Sequence, residues 1–152
     1  MLVVYNIRKE KFAEIPLKAS GIANRWNKAN EFVVYAGSSR ALSTLELVVH
    51  RSSINIESSY KLIVICLEIN ETDVEELDIS LLPQHWRSIK NYSLLQELGS
   101  NWYKKAEKLI LKVPSVIIQK ECNFLINTKH PDYNKKVSIL EIEDFIWDER
   151  LL

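Results

Sequence analysis

The ten-residue run "YKLIVICLEI", at residues 60–69, is almost continuously apolar and rich in β-branched side chains. A strand with one face in water would alternate apolar and polar residues, so this run predicts a strand that is buried on both faces. Other parts of the chain must therefore cover both sides of the sheet that contains it.

Shorter apolar runs predict further strands at residues 2–7, 32–36, 109–118 and 122–127, and at the start of the segment 137–152. Pro114 interrupts the run at 109–118. Because proline cannot donate a hydrogen bond to a central ladder, this break predicts an edge, a bulge or a bend.

Helical spacing predicts helices at residues 41–50 and 93–108, although Gly99 weakens the second. Ser38 or Ser39 can cap the first of these helices. The polar segment 20–31, "SGIANRWNKANE", is predicted to be a loop. The predicted fold class is therefore α+β: a single compact domain over the whole chain, with an interrupted, mostly antiparallel sheet and flanking helices.

The 20 basic and 20 acidic side chains of the 152-residue chain cancel, so the formal net charge is zero. A neutral chain lacks the positive charge that non-specific nucleic-acid binding requires, but one or two arginines can still hold a small anion. The start does not resemble a signal peptide and no apolar run reaches membrane-spanning length, so we expect a cytoplasmic protein. Cys66 and Cys122 lie in apolar runs and are interpreted as reduced core thiols rather than a disulfide or a redox pair.

Several short motifs do not lead to a site. His130 begins the triplet His-Pro-Asp of the chaperone J-domain, but it follows an apparent strand and is interpreted as a turn. Glu46 and His50 have the spacing of metal ligands on a helix, yet no further ligands follow at suitable spacing, so no metal site is expected. Three glycines are too few for a glycine-rich phosphate loop. Ser115 lacks the sequence context of a nucleophile elbow.

One carboxylate in the predicted helix at 41–50 needs an explanation. The helix has an apolar stripe made by Ala41, Leu42, Leu45, Val48 and Val49. Glu46 is predicted at the border of this stripe, where an ionised group is costly unless it is paired. Arg25, Tyr35 and Ser115 are likewise polar groups beside apolar runs. Taken singly, each has an ordinary interpretation. Glu46 is then an edge carboxylate, Arg25 a surface cation, Tyr35 a core aromatic and Ser115 a turn residue.

Taken together and in order, these residues resemble the signature of the RES-domain toxins, the toxin half of bacterial RES–Xre toxin–antitoxin pairs. The resemblance begins with Arg25-Trp26-Asn27 in a loop, Tyr35 at the end of a strand, and the helix pattern Ala41-Leu42, Leu45-Glu46 and His50. It continues with "WYKKAEKLILKVPSVII", "NFLINTKHPDY" and "FIWDERLL". The five blocks span essentially the whole chain, and they identify Ser115 as the serine of the family name.

Two positions depart from the family pattern. Many members have two glycines before the Arg-Trp-Asn block, where this chain has Ala23-Asn24. We expect Asn24 to preserve the loop by adopting the left-handed backbone conformation. Many members also have Tyr-Arg-Ile near the start, where this chain has Tyr5-Asn6-Ile7, so Asn6 is expected to hold a phosphate less firmly than arginine would.

The resemblance implies an ADP-ribosyltransferase-like fold that binds NAD+ as a substrate and requires no further cofactor. Family members cleave the nicotinamide–ribose bond by hydrolysis or phosphorolysis, and some modify a protein instead. The resemblance implies that Arg25, Tyr35, Trp26 and Asn27 bind NAD+. It also implies that Glu46 stabilises positive charge on the ribose and that Arg25 holds phosphates. Tyr35 is expected to stack on the nicotinamide ring or to hydrogen bond beside it. Ser115 is expected to orient either Glu46 or the nicotinamide end by hydrogen bonding, rather than to act as a nucleophile.

The same resemblance implies a protein partner, an Xre-like antitoxin that covers the active-site cleft and carries the DNA-binding part. A homodimer is compatible with the sequence, which does not demonstrate one. Two alternatives stay open beside NAD+ depletion. One is a protein ADP-ribosyltransferase, and the other is a degenerate domain that only binds antitoxin or nucleotide.

Overall fold

The predicted central strand is present as β3 (Tyr60–Leu67), which pairs antiparallel with β1 (Leu2–Lys9) on one side and β7 (Val137–Phe145) on the other. In the computed structural model, which describes residues 1–49 and 54–152, every β3 residue except Lys61 is buried. The prediction of a strand buried on both faces is therefore confirmed.

The remaining strands are β2 (Val33–Gly37), β4 (Val74–Glu76), β5 (Ile110–Pro114) and β6 (Cys122–Asn127). The seven strands form one sheet in the order β4-β5-β6-β2-β1-β3-β7, in which only the β4–β5 pair is parallel. The helices of the described residues are α1 (Glu10–Ala13), α2 (Arg40–Val48), α3 (Tyr92–Lys105) and α4 (Tyr133–Lys136). The α+β class is confirmed, although β4, α1 and α4 have no counterpart in the predicted elements.

The sheet is interrupted at its middle, between β1 and β2. These strands pair at a single position, Tyr5 opposite Gly37, and then separate. Beyond that pair, the Asn6 side chain bridges the gap, because its Nδ2 donates a hydrogen bond of 2.8 Å to the carbonyl oxygen of Tyr35. The separation leaves a cleft through the sheet that is bordered by backbone from both strands.

Helix α2 docks beside this cleft through only part of the predicted stripe. Ser39 caps its N-terminus, as one of the two serines was expected to. Leu42 of the stripe is buried, but Ala41 and Val49, the two ends of the stripe, are exposed, so the prediction is wrong at both ends. The helix also buries Ser43, whose hydroxyl donates a 2.9 Å hydrogen bond to the carbonyl oxygen of Tyr5. Since residues three and four apart share a helix face, Glu46 lies on this docked face rather than at its border.

Helix α3 packs on the sheet through Leu95 and Trp102, and it meets the loop at residues 20–31 at Gly99. A Cβ at Gly99 would overlap the backbone carbonyl of Trp26, with the carbonyl carbon at 2.7 Å. Gly99 is therefore the position where the helix and the loop make direct backbone contact. From the sequence, Gly99 is expected to weaken the helix, whereas the packing of the helix against the loop requires glycine at this position.

The other sequence expectations can be placed briefly. Pro114 ends β5 two residues beyond the last β4 partner, Lys112, so the missing N–H costs no hydrogen bond to β4. Cys66 is a buried free thiol and Cys122 a half-buried one, and burial raises the pKa of both. His130 lies in a turn between β6 and α4, as predicted. No helix in the described residues is long and apolar enough to cross a membrane.

Candidate active site

The cleft between β1 and β2 contains two adjoining cavities. The first has a volume of about 170 Å³ and is bounded by β1, β2, α2 and the loop at residues 20–31. Its lining includes Arg25, Trp26, Tyr35, Glu46 and Asn123. The second, of about 730 Å³, lies on the other side of Asn6, Ile7, Asn24 and Tyr35, which line both cavities. Four of the six predicted site residues thus meet at the first cavity.

Glu46 is fixed at the wall of the first cavity by two hydrogen bonds to one of its oxygens. The Ser115 hydroxyl donates to Oε1 at 2.9 Å, and Nδ2 of Asn123 donates to the same oxygen at 2.7 Å. Within the described residues, Oε2 accepts no hydrogen bond from the protein. The carboxylate is therefore held in one orientation and keeps an oxygen available to a ligand.

Ser115 lies behind the cavity rather than in its lining. It is fully buried, and its Oγ accepts hydrogen bonds from the backbone N–H groups of Ile117 and Ile118, at 3.1 Å each. The hydroxyl thus closes the turn after β5 and directs its one proton to Glu46. This geometry suits a residue that orients a carboxylate, because the hydroxyl faces the carboxylate and the turn instead of the cavity.

Tyr35 joins the cleft to the loop at residues 20–31. Its hydroxyl donates to Oδ1 of Asn27 at 2.7 Å and accepts from the backbone N–H of Trp26 at 3.1 Å. Burial raises the pKa of Tyr35, so the phenol is neutral over the physiological range. With both roles of its hydroxyl in use, Tyr35 can offer a ligand its ring.

Asn27 does not line the first cavity, and its side chain is part of the loop's internal support. It is 2% exposed, and its Nδ2 donates to the carbonyl oxygens of Ile22, Lys28 and Glu31. Because this amide is buried, the Asn27 side chain is not accessible for the direct contact with a dinucleotide that was expected of it. Trp26 is also buried, with its ring 6.2 Å from that of Trp86, although it borders the cavity.

Arg25 lies across the cavity lining from Glu46 and is held from two sides. Its Nη1 donates to the carbonyl oxygen of Arg87 at 3.1 Å, and its guanidinium carbon lies 4.6 Å from the centre of the Tyr92 ring. Stacking on the ring fixes the plane of the guanidinium, while its other N–H groups remain able to donate to an anion.

Sequence reasoning missed Asn123 and Tyr92 as site residues. Asn123 is one of two asparagines in the mostly apolar strand β6, which was the available signal, but strand alternation alone gives it no role. Asn24 does not adopt the expected left-handed backbone conformation, which occurs at Asn30 in the same loop, with φ of 64°. Asn24 instead exchanges backbone hydrogen bonds with Asn27.

Glu46 and His50 are the pair whose spacing in the sequence is that of metal ligands on a helix. His50 lies outside the described residues, and within those that are described no group of three His, Cys, Asp or Glu side chains is placed to hold a metal ion.

The RES domain family model matches residues 3–148. The chain belongs to the RES domain family. This RES domain is 28% identical over 154 residues to "Toxin Res" of Photorhabdus laumondii subsp. laumondii, covering 99% of this chain and 97% of that protein. It is 33% identical to the "Prs ADP-ribosylating toxin" of Sphingobium sp., covering 84% of this chain and 80% of that protein.

Among solved structures, this RES domain is similar to a chain of the M. tuberculosis MbcT–MbcA toxin–antitoxin complex. The TM-score is 0.75 at 14% identity, and the match covers 95% of this chain and 84% of the other. At that identity the likeness shows the fold alone, a mixed α+β fold with a mostly antiparallel sheet.

Chemically, the site combines an anchored carboxylate, a stacked guanidinium and an aromatic ring around a small cavity. Carboxylates stabilise positive charge that develops on a sugar, and guanidinium groups bind phosphate through their planar fork. The arrangement therefore suits a ligand that carries both a reactive ribose and phosphate.

Proposed function

We propose that this RES domain is the toxin of a toxin–antitoxin pair and that it cleaves the nicotinamide–ribose bond of NAD+. The observation that carries the proposal is Glu46, which lines a cavity that Arg25 also lines and whose Oε1 is held by Ser115 and Asn123, while its Oε2 accepts no hydrogen bond from the described residues. The named toxins among its relatives support the same proposal.

In the proposed reaction, the bond between C1 of the ribose and the nicotinamide nitrogen breaks, and its electron pair leaves with neutral nicotinamide. The ribose becomes oxocarbenium-like, as in glycoside hydrolysis, and the Glu46 carboxylate stabilises that charge while accepting a hydrogen bond from a ribose hydroxyl. A water oxygen then attacks C1 and releases a proton, giving ADP-ribose. If inorganic phosphate attacks instead, the product is ADP-ribose 1-phosphate. Because nicotinamide leaves as a neutral base, no strong acid is required.

Arg25 binds the phosphates in this proposal, and Arg25→Lys tests that role. Lysine keeps the charge but loses the planar fork and the stacking on Tyr92, so we expect KM for NAD+ to rise about tenfold with a smaller change in kcat. Steady-state kinetics of nicotinamide release measures both constants. Lys28→Ala is the matched control, because Lys28 belongs to the same loop but pairs with Glu97 outside the cavity. An unchanged KM in Arg25→Lys would remove Arg25 from the phosphate site.

Asn123 positions the Glu46 carboxylate, and two substitutions separate this role from a structural one. In Asn123→Ala one of two donors to Oε1 is lost, so kcat is expected to fall roughly tenfold while KM changes little. In Asn123→Asp a second carboxylate replaces a donor that lies 2.7 Å from Glu46. In that variant two adjacent carboxylates cannot both ionise readily, so the acidic limb of the kcat profile should move to higher pH. A profile identical to that of the unchanged protein would contradict the positioning role.

A second candidate function is transfer of ADP-ribose to a protein. It is favoured by the relative named as a Prs ADP-ribosylating toxin. The same bond breaks, but a protein side chain takes the place of water. NAD+ labelled in its adenylate half distinguishes the outcomes, because the label becomes protein-bound only in this second case.

The proposal includes an Xre-like antitoxin that covers the cleft, and a cytoplasmic location where NAD+ is available. Induced expression in bacteria without the antitoxin tests the proposed function in cells. We expect the NAD+ pool to fall before growth stops, and expression of Glu46→Gln to leave both unchanged. Growth arrest at a normal NAD+ level would favour a protein acceptor. Normal growth at high expression would favour a domain that only binds antitoxin or nucleotide.

A further inference from the structure

The second cavity contains a cation without a counter-charge, Arg8. Its Nε donates to Oδ1 of Asn6 at 2.8 Å, and its Nη1 donates to the carbonyl oxygen of Lys18 at 3.2 Å. Arg8 forms no ion pair within residues 1–49 and 54–152. Burial lowers the pKa of Arg8, because the guanidinium is partly removed from water and no carboxylate compensates it.

The other charged residues that line the second cavity also favour an anionic ligand. Lys11 and Lys18 line this cavity together with Arg8, whereas Glu14 is the one carboxylate among its described lining residues. A cleft lined by an excess of one charge attracts ligands of the opposite sign. Two of the five N–H groups of Arg8 are used in the hydrogen bonds to Asn6 and Lys18, so the others can donate to an anion.

The cavity also offers apolar surface beside these cations. Phe12 and Ile22, which are 55% and 75% exposed, belong to its lining. Exposed aromatic and aliphatic surface next to basic side chains suits a flat heteroaromatic base attached to phosphate. A carboxylate or inorganic phosphate alone would leave this apolar surface unused.

The two cavities adjoin, since Asn6, Ile7 and Tyr35 line both. The first cavity, at about 170 Å³, is smaller than the roughly 300–1,000 Å³ of typical small-molecule sites, whereas the second, at about 730 Å³, falls within that range. A ligand as long as a dinucleotide therefore needs both cavities. Asn6 lies at the junction of the two cavities, and Arg8 lies two residues further along the same face of β1.

We propose that the second cavity is a binding site for the nucleoside-diphosphate class of ligand, in which Arg8 is a phosphate anchor in addition to Arg25 and the base packs against Phe12 and Ile22. The identification of this ligand with the adenosine-diphosphate half of NAD+ rests on the proposed function, whereas the anion site itself does not.

The test is the affinity of the purified full chain for ADP, measured by calorimetry, beside adenosine and inorganic pyrophosphate. Arg8→Gln removes the charge but keeps a donor for the Lys18 carbonyl, and it is expected to weaken ADP binding about tenfold or more while leaving adenosine unaffected. Arg8→Lys keeps the charge without the fork and should weaken ADP binding severalfold. Lys9→Ala, a neighbouring cation outside both cavities, should bind ADP like the unchanged protein. Pyrophosphate should compete with ADP.

Each outcome bears on this site separately from catalysis. If ADP binding depends on Arg8 but NAD+ is not cleaved, the nucleotide site stands and the proposed function fails. If NAD+ is cleaved while Arg8→Gln binds ADP normally, the proposed function stands and the Arg8 site is wrong. Failure of the unchanged protein to bind ADP would also overturn the site. Should Arg8→Gln not fold, the comparison of Arg8→Lys with Lys9→Ala gives the same decision.

Discussion

Glu46→Gln is expected to lower kcat for NAD+ cleavage by about 10²- to 10³-fold, the usual cost of removing one preorganised electrostatic group at a reacting centre. Glutamine keeps the size of the side chain and can still accept hydrogen bonds from Ser115 and Asn123 at its carbonyl oxygen. It cannot balance positive charge on the ribose. Affinity for NAD+ should therefore change far less than turnover, because the phosphates are held elsewhere.

Single-turnover kinetics and NAD+ binding, measured on the same preparation, separate these two effects. Glu75→Gln is the matched control, because Glu75 is an exposed carboxylate on β4, outside both cavities, and its loss should leave both constants unchanged. If Glu46→Gln cleaves NAD+ as fast as the unchanged protein, the carboxylate has no part in the chemistry. If it loses binding and turnover together, its role is to hold the substrate.

Gly99→Ala is expected to destabilise the protein, against the ordinary preference of a helix. In an exposed helix interior, replacing glycine by alanine stabilises by roughly 0.5–1 kcal/mol. Here the added Cβ would overlap the Trp26 carbonyl group, whose carbon would lie 2.7 Å away. Because the obstacle is backbone, the loop or the helix must move, at a cost of about 1–3 kcal/mol or more. That loss corresponds to a fall in Tm on the order of 5 °C for a domain of this size.

The same substitution should raise KM for NAD+, since Arg25 immediately precedes Trp26 in the displaced loop. Thermal unfolding measures the first effect and steady-state kinetics the second. Ser93→Ala, at an exposed position of the same helix, controls for the helix preference and should leave both unchanged. A Gly99→Ala protein as stable as the original would mean that the helix and the loop are not in backbone contact.

The sequence correctly predicted features that depend on residues close together in the chain. The unbroken apolar run of β3 predicted its burial on both faces, because such a run depends only on neighbours along the chain. The resemblance to the RES-domain family singled out Arg25, Tyr35 and Glu46, which the fold brings to one cavity.

Features that depend on partners distant in the sequence were not predictable in the same way. The buried face of α2 depends on a hydrogen bond from Ser43 to Tyr5, 38 residues away, and helical periodicity does not predict this bond. Asn123 reaches Glu46 across 77 residues, and Gly99 meets Trp26 only because α3 crosses the loop. Arg8 looks like an ordinary strand-end cation until the separation of β1 from β2 places it beside a cavity.

The most direct test of the central claim is the release of nicotinamide from NAD+ by the purified full chain, run with and without inorganic phosphate. We expect release that Glu46→Gln slows by about 10²- to 10³-fold, with ADP-ribose as the co-product in water alone. Faster release with ADP-ribose 1-phosphate as product would identify phosphate as the acceptor. Absence of nicotinamide release in both buffers, from a folded protein that binds NAD+, would contradict cleavage of this bond with water or phosphate as the acceptor.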